Sequence, residues 1–131
     1  RIDAAQLCEF TRQLATLVGA GVPLLQSLDT IQQGLNGQAM EPVVKALRRQ
    51  VSAGKSLENA LQQTGVFDKL YCQMVAAGEL AGNLDDMLNR LASHTERQQQ
   101  LRRKVRMALV YPVAVLFIAA LVHIFAAKKP R

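Results

Sequence analysis

Residues 84–127 read LDDMLNRLASHTERQQQLRRKVRMALVYPVAVLFIAALVHIFAA, and this stretch decides the fold. Its first apolar positions, Leu84, Met87, Leu88 and Leu91, recur at steps of three and four. That is the spacing of a helix with one face against a core. Residues 93–100 are then eight polar side chains with no apolar face, and no Gly or Pro interrupts them before Leu101 and Val105. Gln, Glu and Arg favour helix over loop. The pattern predicts one helical rod, packed at its start and bare across a gap of about 12 Å. Residues 108–127 follow, twenty in a row without a charge. As a helix they cover about 30 Å, the hydrocarbon thickness of a bilayer, and are long for a buried core helix. Tyr111 suits the membrane interface, and Pro112, in the first turn of the run, is tolerated in a membrane helix.

Charge sharpens this reading. The net charge is +6, yet residues 1–96 hold eight basic and ten acidic side chains, while residues 97–131 hold eight basic and none acidic. The excess forms two clusters flanking the apolar run: Arg97, Arg102, Arg103, Lys104 and Arg106 before it, Lys128, Lys129 and Arg131 after it. Such flanks mark a membrane span, and the stronger cluster places the N-terminal body in the cytoplasm. A small nucleic-acid-binding helical domain, the class that a pI of 9.8 first suggests, needs a basic folded surface, and this body is slightly acidic. The opening Arg1-Ile-Asp-Ala-Ala-Gln lacks the apolar stretch of a signal peptide.

Upstream, the pattern is helical throughout. Asp3 is placed to cap a first helix striped by Leu7, Phe10, Leu14, Leu17 and Val18, which Gly19 and Gly21 end. Pro23 fits the first position of a second helix with Leu24, Leu28 and Ile31. Gly34-Leu35-Asn36-Gly37 reads as a turn, and a third helix from about Met40 to Ala53 turns Val43, Val44, Leu47 and Val51 inward. Ser56 caps a fourth helix with Leu57, Ala60 and Leu61. Asp68 caps a fifth with Leu70, Tyr71, Met74 and Val75, expected to stop at Gly78. The loop Gly78-Glu79-Leu80-Ala81-Gly82 then leads to Asn83, the cap of the sixth helix. A glycine followed by an i, i+4 leucine pair recurs at Leu24/Leu28, Leu57/Leu61 and Leu84/Leu88, the grammar of a compact bundle with short connections. The expected fold is all-α: a six-helix bundle over residues 1–107 whose last helix extends into a transmembrane segment over residues 108–127.

No constellation for catalysis stands out. His94 lies in the polar stretch and His123 near the end of the apolar run. Gly19-Ala-Gly21 lacks the Lys and Ser/Thr of a phosphate loop. Cys8 and Cys72 have no metal-ligand spacing and read as small core side chains. Asp85 and Asp86 suit the first turn of a helix, facing the positive end of its dipole. Glu79 is a charge beside glycines with no evident capping role. The candidates for contact with a partner are therefore Glu79 and the basic face Lys45, Arg48 and Arg49. No catalytic residue, cofactor or metal site is expected.

Several strings resemble one family. They are Phe10-Thr-Arg-Gln-Leu-Ala-Thr-Leu-Val-Gly-Ala-Gly-Val-Pro-Leu24, Ala53-Gly-Lys-Ser-Leu-Glu-Asn-Ala-Leu61, Phe67-Asp-Lys-Leu-Tyr71, Val75-Ala-Ala-Gly-Glu-Leu-Ala-Gly-Asn-Leu84 and Lys104-Val-Arg-Met-Ala-Leu-Val-Tyr-Pro112. Together they resemble the first cytoplasmic domain of the inner-membrane platform proteins of type IV pilus and type II secretion machines, the PilC/GspF-like family, over about residues 3–125. The resemblance implies a six-helix bundle that pairs as a homodimer. It also implies a place at the base of the machine, where the protein engages a cytoplasmic assembly or retraction ATPase and couples it to pilin and to other inner-membrane components. Full-length members hold two copies of the domain and three membrane helices, so this chain looks like the first copy and part of its first span. Some secretion-branch relatives bind calcium through acidic side chains at positions that look like Asn89 and Ser93, so that site is not carried over. The opening helix leans towards the pilus branch, with secretion second.

Overall fold

Asp3 opens the first helix as the sequence implies. Its side chain accepts from the backbone N–H of Gln6 at 2.9 Å, and the Gln6 side chain accepts from the Asp3 N–H at 2.9 Å. Two of the helix's otherwise unpaired donors are satisfied reciprocally. The structure, a computed structural model, describes residues 2–128, the side chain of Lys128 excepted. Of the distal cations, Lys129, Arg131 and the Lys128 side chain thus lie outside the described residues. The helices are α1 (Ala4–Gly19), α2 (Leu24–Gly34), α3 (Glu41–Ser52), α4 (Leu57–Thr64), α5 (Lys69–Ala81) and α6 (Leu84–Lys128), with no strand among the described residues. The chain divides into two compact units, Arg1–Arg97 and Gln98–Arg131.

In the first unit, successive helices from α1 to α5 pack against one another. Most of the side chains predicted to face inward do so, some of them only partly buried, whereas Leu70 of the fifth helix is half-exposed. Leu14, Leu28, Val44, Leu47, Leu57, Leu61, Val75, Leu88 and Leu91 are all buried in one cluster. Full burial of a Leu or Val is worth about 1.5–3 kcal/mol, so this cluster is the main source of stability. Phe67 packs between Phe10 and Tyr71 with its ring tilted to both, ring centroids 5.8 and 4.8 Å apart. Two polar side chains are buried with it and both are satisfied. Ser27 Oγ donates to the Val22 carbonyl at 3.3 Å. Thr11 Oγ1 donates to the Leu7 carbonyl at 2.7 Å and lies 2.8 Å from the Tyr71 hydroxyl, which therefore donates to it. Burial pushes the Tyr71 phenol well above its ordinary value, so this pair stays neutral.

Three local expectations are corrected. Pro23 is the N-cap of α2 rather than its first residue, with φ −56° and ψ 148°, because extended backbone is still needed to leave the preceding turn. The fifth helix does not stop at Gly78 but runs on to Ala81, so residues 78–81 are helix, not loop. Gly78 is there for closeness. A Cβ on it would meet Met87 Cγ at 2.9 Å and Leu84 Cα at 3.1 Å, so α5 and α6 approach nearer than any side chain would allow. The chain actually turns at Gly82, whose φ of +73° is the left-handed conformation that glycine adopts without strain. Finally, the polar stretch is not bare from its start, since residues 93–96 are half-buried and Ser93 and Glu96 meet Arg12 of α1.

Over its described residues the second unit is the remainder of α6. Residues 101–127 are exposed along its whole length, and the helix is long and apolar enough to cross a membrane. Pro112 lies inside it.

Candidate partner-contact surfaces

The basic face predicted on α3 is one wall of a cleft. Lys45, Arg48, Arg49 and Ser52 face Asp29, Gln32 and Gln33 of α2 across about 380 Å³. Successive turns of α3 bring Lys45, Arg48 and Arg49 together, since residues three and four apart are neighbours on a helix. Arg48 does not face out as a free cation. Its Nε donates to Asp29 Oδ1, and both side chains are about two-fifths exposed (43% and 38%). A pair that open to water adds little stability, but it fixes where the guanidinium points. Lys45 and Arg49 are exposed and form no ion pair among the described residues. Two cations one turn apart, beside two side-chain amides, suit carboxylates or another anion on a partner. The α3 wall was visible in the sequence, whereas the α2 wall was not, because nothing local ties Asp29 to Arg48.

Glu79 has a capping role after all, on a different helix. Projecting from α5, its carboxylate accepts from the backbone N–H groups of Leu57 at 2.8 Å and Glu58 at 3.0 Å, the first two residues of α4. Ser56 Oγ accepts from the Asn59 N–H at 3.1 Å. The start of α4 is thus held by its own N-cap and by an anion brought across from α5, where the helix dipole favours negative charge. The next residue, Leu80, is 91% exposed. Within the quoted string from Val75 to Leu84 it is the large side chain that the bundle leaves in water, and sequence reading passed over it.

A third constellation ties α1 to α6. Arg12 donates from Nε and Nη2 to the two oxygens of Glu96 at 2.8 and 2.7 Å, and from Nη1 to Asn89 Oδ1 at 2.9 Å. A longer contact reaches Ser93 Oγ at 3.5 Å. The fork-to-fork pair with Glu96 is the strong element. Its hydrogen bond to Arg12, first among the causes, holds the Glu96 carboxyl below the usual carboxylate range, and the same bond holds the Arg12 guanidinium above its own. Asn89 and Ser93 are the positions that the resemblance assigns to calcium ligands in some relatives. Here both are neutral, and a guanidinium supplies the positive charge beside them. No group of three or more His, Cys, Asp or Glu among the described residues is placed to hold a metal ion. Cys8 and Cys72 form no disulfide, and burial pushes the Cys72 thiol above its ordinary value, which favours the neutral thiol.

Over residues 10–127 the chain matches the family described as type II secretion system (T2SS), protein F. The type IV pilus assembly protein PilC of Pseudomonas aeruginosa is 42% identical to it over 123 residues, which cover 93% of this chain and 33% of the relative. PilC of Myxococcus xanthus is 39% identical over 119 residues, 90% of this chain and 28% of the relative. The type II secretion system protein F of Xanthomonas campestris pv. campestris is 41% identical over 124 residues, 94% of this chain and 31% of the relative. The chain therefore spans about a third of the length of the curated relatives it matches. These names describe assembly and secretion components and specify no reaction.

Proposed function

The chain belongs to the type II secretion system protein F family, and from that premise we propose that it is the membrane-anchored cytoplasmic part of an inner-membrane platform for type IV pilus assembly. It does no chemistry of its own in this role. It docks a cytoplasmic assembly or retraction ATPase and passes the motor's movement to pilin through its membrane helix, working as a homodimer alongside other inner-membrane components. The observation that carries the reading is the unbroken family match over residues 10–127, from the bundle into the apolar helix. The five cations at 97–106 support a cytoplasmic body by the positive-inside rule. For the ATPase contact, the α2–α3 cleft with Lys45, Arg48 and Arg49 is the first candidate. The end of α5 is the second, where Glu79 holds α4 and Leu80 stands in water.

A second reading, the equivalent platform of a type II secretion system, is favoured by the 41% identity to a secretion protein F. Co-purification of the full-length protein from its native membrane tests both. The expected result is a hexameric ATPase in the eluate, lost when Lys45→Glu and Arg49→Glu are combined. Recovery without any ATPase would overturn the docking role, and retention of the ATPase by the charge-reversed protein would exclude the α2–α3 cleft as its site. Inserting Gly-Pro near Gln98 should abolish piliation while the bundle stays folded. Normal piliation would exclude force transmission through α6.

A further inference from the structure

From the last acidic residue, Glu96, to the end of the chain, the only ionised side chains are basic. Four of them, Arg102, Arg103, Lys104 and Arg106, sit in the second unit immediately before the apolar run, all exposed and none in an ion pair among the described residues. We infer that these four side chains form a binding collar for anionic phospholipid headgroups. The inference rests on reading residues 108–127 as a membrane span, but goes beyond it: a span needs cations near one end, and does not by itself select a lipid.

The axial position is the first support. Arg102 to Arg106 lie six to two residues before Ala108, which is about 9 to 3 Å along the helix. A bilayer of about 30 Å hydrocarbon within about 40–45 Å overall leaves a headgroup layer of about 5–8 Å on each side. With the apolar run filling the hydrocarbon, Arg103, Lys104 and Arg106 fall within the headgroup layer and Arg102 at its outer edge, in reach of the lipid phosphates. Their distribution around the helix is the second support. At about 100° per residue, Arg102 and Arg106 share one side while Arg103 and Lys104 extend around to the opposite one. A helix lying in the interface keeps its cations on one face and its apolar side chains on the other. Cations spread around the axis suit a helix crossing the headgroup layer, with lipids on all sides. The side-chain chemistry is the third. Three of the four are arginines, whose guanidinium grips a phosphate with two parallel hydrogen bonds. No Asp or Glu follows Glu96 in the sequence to compete for them within this unit. A nucleic acid could also offer phosphates, but the neighbouring side chains Leu101, Val105, Met107 and Leu109 are exposed and apolar, which suits lipid and not a polynucleotide.

The test is lipid selectivity in the assembled membrane. The chain is reconstituted in phosphatidylcholine bilayers carrying either spin-labelled phosphatidylglycerol or spin-labelled phosphatidylcholine. Electron paramagnetic resonance then reads the fraction of each at the protein surface. One basic residue near an anionic headgroup is worth about fivefold in association, so phosphatidylglycerol should be enriched about fivefold over phosphatidylcholine. Enrichment should collapse in 1 M salt and in the variant combining Arg102→Gln, Arg103→Gln, Lys104→Gln and Arg106→Gln. Replacing the three arginines by lysine should retain part of it, and Lys45→Glu with Arg49→Glu should leave it intact. Circular dichroism checks that each variant keeps its helix. A ratio near one for the parent chain, or a ratio unchanged by the four glutamines, overturns the inference while leaving the span reading in place. A chain that does not enter the bilayer at all overturns both.

Discussion

Replacing Glu79 with alanine should unfold the bundle at lower denaturant, because it removes the acceptor that holds the start of α4. The carboxylate accepts two backbone N–H groups at the start of α4, at 2.8 and 3.0 Å, and comes from a residue more than twenty positions away in sequence. Losing a helix N-cap acceptor costs about 1 kcal/mol per donor left unpaired, so alanine should cost about 2 kcal/mol. Ser56 continues to hold the Asn59 N–H, which keeps the loss from being larger. Glutamine keeps one acceptor and loses the charge, so it should cost about half as much. The assay is urea unfolding of the chain in a mild non-ionic detergent, followed by circular dichroism. With a urea slope of about 1–3 kcal/mol per molar for a small domain, the alanine midpoint should fall by about 1 M and the glutamine midpoint by about half that. Hydrogen exchange at the Leu57 and Glu58 amides should accelerate in step. An alanine midpoint equal to that of the parent, with loss of ATPase capture, would refute the capping account and make Glu79 a contact residue instead.

Gly78→Ala gains about 1 kcal/mol of helix propensity but sets a methyl against Met87 and the Leu84 backbone; overpacking of about 1–3 kcal/mol should win, with a net loss of about 1 kcal/mol in the same urea assay. Gly34→Ala, at a position where a Cβ meets nothing within 4 Å, should instead be neutral or slightly stabilising. The Arg12–Glu96 tie should depend on acid in one direction. Because the folded Glu96 carboxyl is held below its ordinary value, its contribution is complete above the unfolded value near 4.5 and is lost as pH falls through the lower folded one. Protection of the Arg12 Nε proton against exchange, taken relative to its intrinsic rate at each pH and followed by NMR, should therefore fall in acid, and high salt should mimic part of the effect. Thr11→Val strands the buried Tyr71 hydroxyl and should cost about 1–3 kcal/mol, whereas adding Tyr71→Phe should recover most of it; two independent, additive losses would refute the pairing.

Where sequence reading succeeded, the physics is local. Asp3, Ser56 and Asp68 each cap the helix assigned to them, because the capping bond closes within three residues. The inward stripes came out in place because helical periodicity depends only on spacing. Gly78 and Gly82 show where locality runs out. A glycine ends a helix when it turns left-handed, and permits close packing when it does not. Only the presence of Met87 and Leu84 across from Gly78 distinguishes the two uses. Glu79 and Arg12 were hidden for the same reason, since each serves a distant helix. The basic face of α3 was legible as a charge cluster, but the cleft it forms needed α2 beside it. Leu80 had no distinguishing sign in the sequence, and its exposure is a property of the assembled bundle alone.

The fastening of α1 to α6 by a guanidinium has a mechanical corollary. Prying apart two leucine faces leaves a void and wets oily surface. Prying apart Arg12 from Asn89, Ser93 and Glu96 merely hands the same donors and acceptors to water, which fills the gap at once. The last stretch of α6 before the second unit is thus held by a clasp that opens and recloses at small cost, while the leucines below it stay shut. A load arriving through that helix would be yielded to at this seam first, and the bundle beneath would be spared.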